Sequence, residues 1–387
     1  MSDFQNILIL MIVIWTAGRI FQYIKLPVVF GELLGGLLVG PMVLGLVNPD
    51  SEAIKVIAEL GIFFLMLHTG LETDPDELLK SSKKALFIAL GGALLPFLGG
   101  YYVAILFGQT TISALFIGIG LSLSAIALAT RLFKDFGILN TKVAHLTLGA
   151  AVINDILGLI LFSIVLNLSE KGVVEFIPLI IMLGKIILFF GITIYGGSKL
   201  APLMNRIIYF GNKGFTLTLI IALLMGLIAE AIGLHVIIGA FLAGLFIREE
   251  VIDKRVFNKI EDRVYGLSYG FFGPIFFASL AFHIDLTSFT TAPFFLMAIL
   301  GVAIGGKIIG SGTIAYLLKI KPLESLAIGL SMNNRGAVEL IIASIGLSKG
   351  IIDKNIFSIL VIMAFSTTVF SMLTMMPIAK RLKQQNS

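Results

Sequence analysis

Two stretches of the chain, "LPVVFGELLGGLLV" (residues 26–39) and "LHVIIGAFLAGLFI" (residues 234–247), share Leu, Val, Gly, Leu, Gly and Leu in register at an offset of 208 residues. Two further pairs keep nearly this spacing. "GIFFLML" from Gly61 matches "PIFFASL" from Pro274 at an offset of 213, and "IGLSLS" from Ile119 matches "IGLSMN" from Ile328 at 209. Three collinear matches at nearly one spacing indicate an internal repeat.

The composition places this repeat in a membrane. Of the 387 residues, 58% are hydrophobic and 13% are charged, whereas about a quarter of the residues of a soluble domain are charged. The sequence therefore predicts an all-α polytopic membrane protein. The chain has no cysteine, which excludes disulfides and thiolate metal sites.

Apolar runs of about the 20 residues that a bilayer requires predict thirteen transmembrane helices. They lie at residues 4–23, 28–47, 53–71, 84–107, 112–132, 141–168, 174–198, 214–230, 233–247, 264–285, 291–318, 323–347 and 354–379. The eighth and ninth runs are short, so hydropathy alone also permits twelve helices.

Charge favours thirteen helices. With the N-terminus outside, 21 of the 28 basic residues fall on the cytoplasmic side and four outside, as the positive-inside rule expects. We therefore predict a multi-pass protein of the cell membrane with an outside N-terminus and a cytoplasmic C-terminus. The basic residues are scattered over many loops, so no nucleic-acid partner is expected.

The repeat relates span two to nine, three to ten and five to twelve, an offset of seven helices. Because seven is odd, the two copies have opposite orientations in the membrane. Inverted repeats of this kind are typical of secondary transporters that work by alternating access.

Spans five and twelve have the most unusual centres of these paired helices. Span five carries Ser122 and Ser124 in "GLSLSAIALA", and span twelve carries the run "GLSMNNRGAVELI". Small polar residues and glycine at corresponding positions predict two interrupted helices that cross near the midplane. The polar residues of the second interruption are Ser331, Asn333, Asn334, Arg335 and Glu339.

Four ionisable residues lie inside predicted spans near this crossing: Asp155, Lys307, Arg335 and Glu339. Each would cost about 2.5–3.5 kcal/mol at the centre of a lipid-facing helix. We interpret Asp155 as functional. Arg335 and Glu339 form an i, i+4 pair whose expected role is structural or secondary. Lys307 is either functional or offsets the negative ends of the half-helices.

The motifs "LPVVFGELLGGLLVGP", "ELGIFFLMLHTGLE", "NDILG", "GLHVIIGAFLAGLF", "GPIFFASLAFHIDL" and "GGKIIG" follow one another along the chain. In this order they resemble the monovalent cation/proton antiporters, second branch, the NapA-like sodium/proton antiporters. The resemblance implies the NapA/NhaA-like antiporter fold and a homodimer whose core moves like an elevator. It further implies a dimerisation domain in residues 1–83 and 170–285 and core helices in residues 84–169 and 286–387.

By position, Asp155 matches the family's cation- and proton-binding aspartate, and Lys307 matches the charge-compensating lysine of the facing helix. A carboxylate binds either one proton or one hard monovalent cation, and burial favours its protonated form, so the two ions compete. Sodium would also need neutral oxygen ligands, for which Asn154, Ser122, Ser124 and nearby freed backbone carbonyls are the candidates. We expect a transporter without enzymatic activity or cofactor, with sodium or lithium and protons as substrates.

Electrogenic members of the family carry two adjacent aspartates, but Asn154 occupies the first position here. Lys307 therefore lacks its usual salt-bridge partner, and one titrating carboxylate predicts electroneutral exchange of one proton per sodium. If Lys307 lost its proton whenever sodium bound, exchange would be electrogenic instead. Potassium/proton antiport and sodium-coupled organic-anion symport are the alternative functions.

Other ionisable residues carry weaker signals. His68, His235 and His283 are single histidines near span ends, so we expect interfacial packing rather than a zinc site. Glu32 and Glu230 are interpreted as structural residues near helix ends.

Overall fold

The computed structural model describes residues 3–24, 26–73, 83–171, 181, 184–185, 188–189, 191–193, 213–247, 254–285 and 287–386. In this part of the chain the secondary structure is helical. The helices are α1 (Asp3–Tyr23), α2 (Val28–Val39), α3 (Glu52–Glu72), α4 (Lys83–Leu106), α5 (Thr111–Ser122), α6 (Ile126–Asp135), α7 (Lys142–Lys171), α8 (Lys213–Ala231), α9 (Val236–Phe246), α10 (Lys254–Ala281), α11 (Ser288–Thr291), α12 (Pro293–Leu317), α13 (Pro322–Ser331), α14 (Ala337–Ser348) and α15 (Lys354–Asn386).

Eight of these helices are long and apolar enough to cross a membrane, and four shorter ones are also apolar. This confirms the predicted all-α polytopic membrane fold. Twelve of the thirteen predicted spans coincide with described helices. The seventh, residues 174–198, falls largely outside the described residues, so the count of thirteen stays a prediction.

Local sequence signals set several helix ends. The Ser51 and Thr110 hydroxyls accept hydrogen bonds from Ile54 N at 3.4 Å and Ser113 N at 3.2 Å, which caps the first turns of α3 and α5. Gly108 follows α4 with a φ of 79°, and Gly350 follows α14 with a φ of 67°. Glycine adopts this left-handed conformation without steric cost, so these positions end the helices.

The chain divides into two compact units. The first comprises Met1–Pro75 and Glu170–Phe282, and the second comprises Asp76–Ser169 and His283–Ser387. The roles of the two units in dimerisation and transport stay a prediction.

Glycines allow close helix contacts inside the first unit. A Cβ added at Gly36 of α2 would lie 2.2 Å from the Ala278 carbonyl of α10, and one at Gly244 of α9 would lie 2.2 Å from the Leu67 carbonyl of α3. Such small-residue contacts replace the hydrophobic driving force that is missing between helices in lipid.

In the second unit, α12 packs on α4 in the same way. A Cβ at Gly310 would lie 2.2 Å from the Gly91 carbonyl. Gly310 belongs to a π-helical segment, Ile308–Gly312, which directly follows Lys307. The wide π turn and the close α4 contact together fix the position of Lys307 in the unit. The residues of the predicted ion site also lie in this unit.

Candidate ion-binding site

Both predicted interruptions are present. The α5 helix ends at Ser122, Leu123 is extended with a ψ of 158°, and a new helix begins at Ile126. The α13 helix ends at Ser331, and α14 begins at Ala337 after an extended Gly336. Spans five and twelve are therefore each a pair of half-helices joined by a short non-helical segment.

The two interruptions bind each other through backbone groups. Ala125 N donates to Asn334 O at 2.8 Å, and the Ser124 hydroxyl donates to Met332 O at 2.8 Å. A Cβ added at Gly336 would lie 2.6 Å from the Ala125 side chain, so glycine permits this approach. The crossing thus satisfies backbone groups that the helix breaks set free.

Arg335 caps the C-terminal end of α5. Its Nη1 donates to Gly120 O at 2.8 Å and to Leu123 O at 2.7 Å, and its Nη2 donates to Leu121 O at 2.7 Å. A positive charge at the negative end of a helix is favourable, and free carbonyls there need donors. Glu339 lies 3.7 Å from Nη1, and both side chains are buried. This arrangement supports the structural role expected for the pair.

Lys307 completes the capping of α5. Its buried Nζ donates to Ser122 O. The Asn154 amide has one orientation that satisfies both of its ends: Oδ1 accepts from Lys307 Nζ at 3.1 Å, and Nδ2 donates to Ala89 O at 2.9 Å. Lys307 therefore has a neutral partner at the position where electrogenic members of the resembled family carry an acid.

Asp155 lies near this lysine and has a carboxylate oxygen without a hydrogen-bond partner in the described part of the chain. The residue is 4% exposed, and its Oδ1 has no hydrogen-bond partner among the described residues. Lys307 is close enough to interact with it electrostatically. Because a buried acceptor without a partner is costly, such a group in a native fold calls for an explanation such as a bound ion.

The predicted serine ligands are placed differently from each other. The Ser122 hydroxyl donates to Ile119 O at 2.7 Å within its own helix, so its carbonyl is the group that faces Lys307. The Ser124 hydroxyl is engaged at the crossing with Met332 O. The structure thus brings Asp155, Asn154, Ser122 and Lys307 together.

The C-terminal end of α13, at the other interruption, is capped without a cation. The Asn334 and Asn333 side-chain amides donate to Ser331 O at 2.8 Å and to Gly329 O at 3.1 Å. Both asparagines thus act as neutral caps in the structure, on the α13 side of the crossing. The two breaks are related by the predicted repeat, but charges cap only the α5 end among the described contacts.

Two residues of α15 support the crossing and were missed in the sequence. Thr368 Oγ1 accepts from Arg335 N at 2.9 Å and donates to Arg335 O at 3.3 Å. Ser371 Oγ donates to Leu330 O at 2.9 Å. Their only sequence signal is a run of small polar residues inside the last apolar span.

The chain is similar to known proteins over nearly its whole length. The family described as sodium/hydrogen exchanger, transmembrane, matches residues 7–381. The chain is 34% identical over 349 residues to the probable Na(+)/H(+) antiporter GerT of Bacillus cereus, covering 89% of this chain and 91% of that protein. It is 31% identical over 383 residues to the Na(+)/H(+) antiporter of Enterococcus hirae, covering 98% and 99% of the two chains.

A solved structure has the same fold. The sodium proton antiporter MjNhaP1 from Methanocaldococcus jannaschii superposes with a TM-score of 0.75 at 19% identity, and the match covers 96% of each chain. The all-helical antiporter architecture expected from the sequence is therefore confirmed at the level of the fold.

Proposed function

Since this chain belongs to the sodium/hydrogen exchanger family, a family of transporters, we propose that it exchanges sodium or lithium ions for protons across the cell membrane by alternating access at Asp155. The exchange is electroneutral, with one proton per cation. The predicted homodimer and the outside N-terminus belong to the same proposal.

The observation that carries this proposal is the buried Asp155 carboxylate with its unpartnered Oδ1. A carboxylate in this environment must take up either a proton or a cation to reduce the cost of its buried charge. It cannot hold both ions at once. Competition for one carboxylate therefore makes the exchange obligatory.

Lys307 competes with a cation for two of the oxygens of the site. Its ammonium occupies the Ser122 carbonyl and the Asn154 amide oxygen, which are neutral oxygens of the type that hard cations prefer. A sodium ion that uses these oxygens has to displace the ammonium from them. Because Asn154 is neutral, Asp155 is the acid that titrates during exchange, and the stoichiometry follows from this one group.

The proposal is tested in proteoliposomes with an internal acidic buffer and a pH-sensitive dye. Added sodium should relieve the quenching of the dye by the wild type, and Asp155→Asn should abolish this response. The matched control is Asp50→Asn, because Asp50 is an exposed carboxylate whose side chain is 85% accessible. Sodium-driven proton movement by Asp155→Asn at the wild-type rate would refute the role of Asp155.

Potassium/proton exchange is the second candidate. A relative from Bacillus cereus named Na(+)/H(+)-K(+) antiporter GerN is 31% identical over 357 residues, covering 92% of this chain and 90% of that protein. The same proteoliposomes decide between the candidates when potassium replaces sodium. We expect a larger response to sodium, whereas equal responses would favour a carrier of both ions.

A further inference from the structure

A second group of ionisable side chains lies in the first unit, on α3. His68 is 1% exposed, and its Nδ1 lies 3.6 Å from Oε2 of Glu72, one helical turn further on. This nitrogen has no hydrogen-bond partner in the described structure. The separation is too long for a hydrogen bond.

One proton would complete this contact. When the neutral imidazole carries its proton on Nε2 and Glu72 is ionised, the lone pair of Nδ1 faces the carboxylate and no hydrogen bond forms between them. An added proton turns the pair into a charge-assisted hydrogen bond, which is shorter, at about 2.7–2.9 Å, and stronger than a neutral one. The Glu72 side chain is 34% accessible whereas that of His68 is 2% accessible, so the proton can enter through Glu72.

Two tyrosine side chains of α10 pack against His68. The rings of Tyr265 and Tyr269 lie 5.4 Å and 5.2 Å from the His68 ring, and Tyr269 meets it edge to face at 87°. Tyr269 belongs to the π-helical segment Ser268–Phe272, which the Ser268 hydroxyl anchors to Phe64 O of α3 at 2.8 Å. Single π turns are frequent at functional sites.

Two acidic groups interact with the pair or with its tyrosines. Glu261 of α10 interacts electrostatically with Glu72, and Glu32 of α2 interacts with Tyr269. The α9 helix, which also packs on α3, carries no ionisable residue. The charged residues of α1 are Asp3, which accepts from Ser51, and Arg19, which donates to Gln22. Carboxylates near the pair favour the protonated form.

Among the described residues, no group of three His, Cys, Asp or Glu side chains is placed to hold a metal ion. We propose that His68 and Glu72 form a second proton-binding site, which holds one proton between the imidazole and the carboxylate and tightens the packing of α3 on the two tyrosines of α10. The packing of the first unit then depends on pH. This site is inferred from the positions of the two side chains. It does not depend on the proposed antiport, which is used only as one of the measurements.

Thermal unfolding of the purified full chain tests the site in the Asp155→Asn background, where the proposed ion site is removed. As the pH falls from about 8.5 to about 7.5, still above the pKa of about 6.5 of an unfolded histidine, Tm should rise by about 2–4 °C with His68 present. His68→Gln and Glu72→Gln should each abolish this rise. His145→Gln, at an exposed histidine of α7, should retain it.

A measurement of sodium/proton exchange distinguishes this proposal from the proposed role of Asp155 in transport. With Asp155 intact, His68→Gln should exchange sodium for protons within about twofold of the wild-type rate at the optimal pH, because the pair is not an ion ligand. A pH-dependent rise in Tm that persists in both His68→Gln and Glu72→Gln would overturn the second proton site, whatever Asp155→Asn does to exchange. Loss of the rise in both variants would support it, even if Asp155→Asn still transported.

Discussion

Asn154 is the residue that sets the charge of the ion site. Its amide oxygen accepts from Lys307 at 3.1 Å, so Asn154→Asp would place a carboxylate against the ammonium. The new acid could release a proton of its own when a cation displaces Lys307, and exchange would become electrogenic. We expect a transient current on a sodium jump across a supported membrane for Asn154→Asp and none for the wild type.

Asn154→Ala is the control for this substitution, because it frees Lys307 without adding charge. It should slow exchange but leave it electrically silent. A robust wild-type current under the same conditions would contradict the electroneutral stoichiometry.

The ionisable residues of the site could be found in the sequence because each charge interrupts an apolar run. Asp155 and Lys307 stand out in this way, and they lie together in the structure. The contacts of Arg335 could not be found, because its carbonyl partners lie more than 200 residues away in sequence. Backbone acceptors also carry no side-chain signal, which is why the sequence predicted freed carbonyls as ligands without singling out the Ser122 carbonyl.

Among the elements, the interrupted helix α5 depends on Arg335. Arg335→Gln would remove three hydrogen bonds to carbonyls and leave the buried Glu339 without its partner. Breaking a buried pair from one side costs about 3–5 kcal/mol, so the thermal unfolding temperature of the purified protein should fall strongly.

A double-mutant cycle separates the two contributions. Adding Glu339→Gln to Arg335→Gln should recover part of the loss, because it removes the unpaired charge but not the free carbonyls. Arg335→Lys keeps the charge but cannot match the forked geometry, and it should be intermediate. Glu339→Gln alone completes the cycle, and if the effect of the double variant equals the sum of the effects of the two single variants, Glu339 is not coupled to Arg335.

The contact of α12 with α4 gives a second prediction at this scale. Gly310→Ala would place a Cβ 2.2 Å from the Gly91 carbonyl, which forces the helices apart next to Lys307. Overpacking of this kind costs about 1–3 kcal/mol, and sodium/proton exchange should slow because Lys307 shifts. Gly305→Ala, on the same helix with nothing within 4 Å of its added Cβ, should leave Tm and rate near wild type.

At the scale of the whole molecule, hydropathy predicted where the helices run because lipid requires about 20 apolar residues for each span. It could not predict the bounds of the breaks, since hydropathy alone gives each of spans five and twelve as one continuous span. The π-helical segments Ser268–Phe272 and Ile308–Gly312 were also not foreseen. They depend on contacts between helices, which a sequence pattern read along one helix does not contain.

The orientation of the chain is a property of the whole molecule, and the absence of cysteine makes it directly measurable. Asp50, between α2 and α3, is predicted outside, and Asn140, between α6 and α7, is predicted in the cytoplasm; both are exposed. In intact cells a membrane-impermeant maleimide should label Asp50→Cys but not Asn140→Cys. Asn140→Cys should react after permeabilisation, which shows that its thiol is accessible. The opposite pattern would reverse the predicted topology.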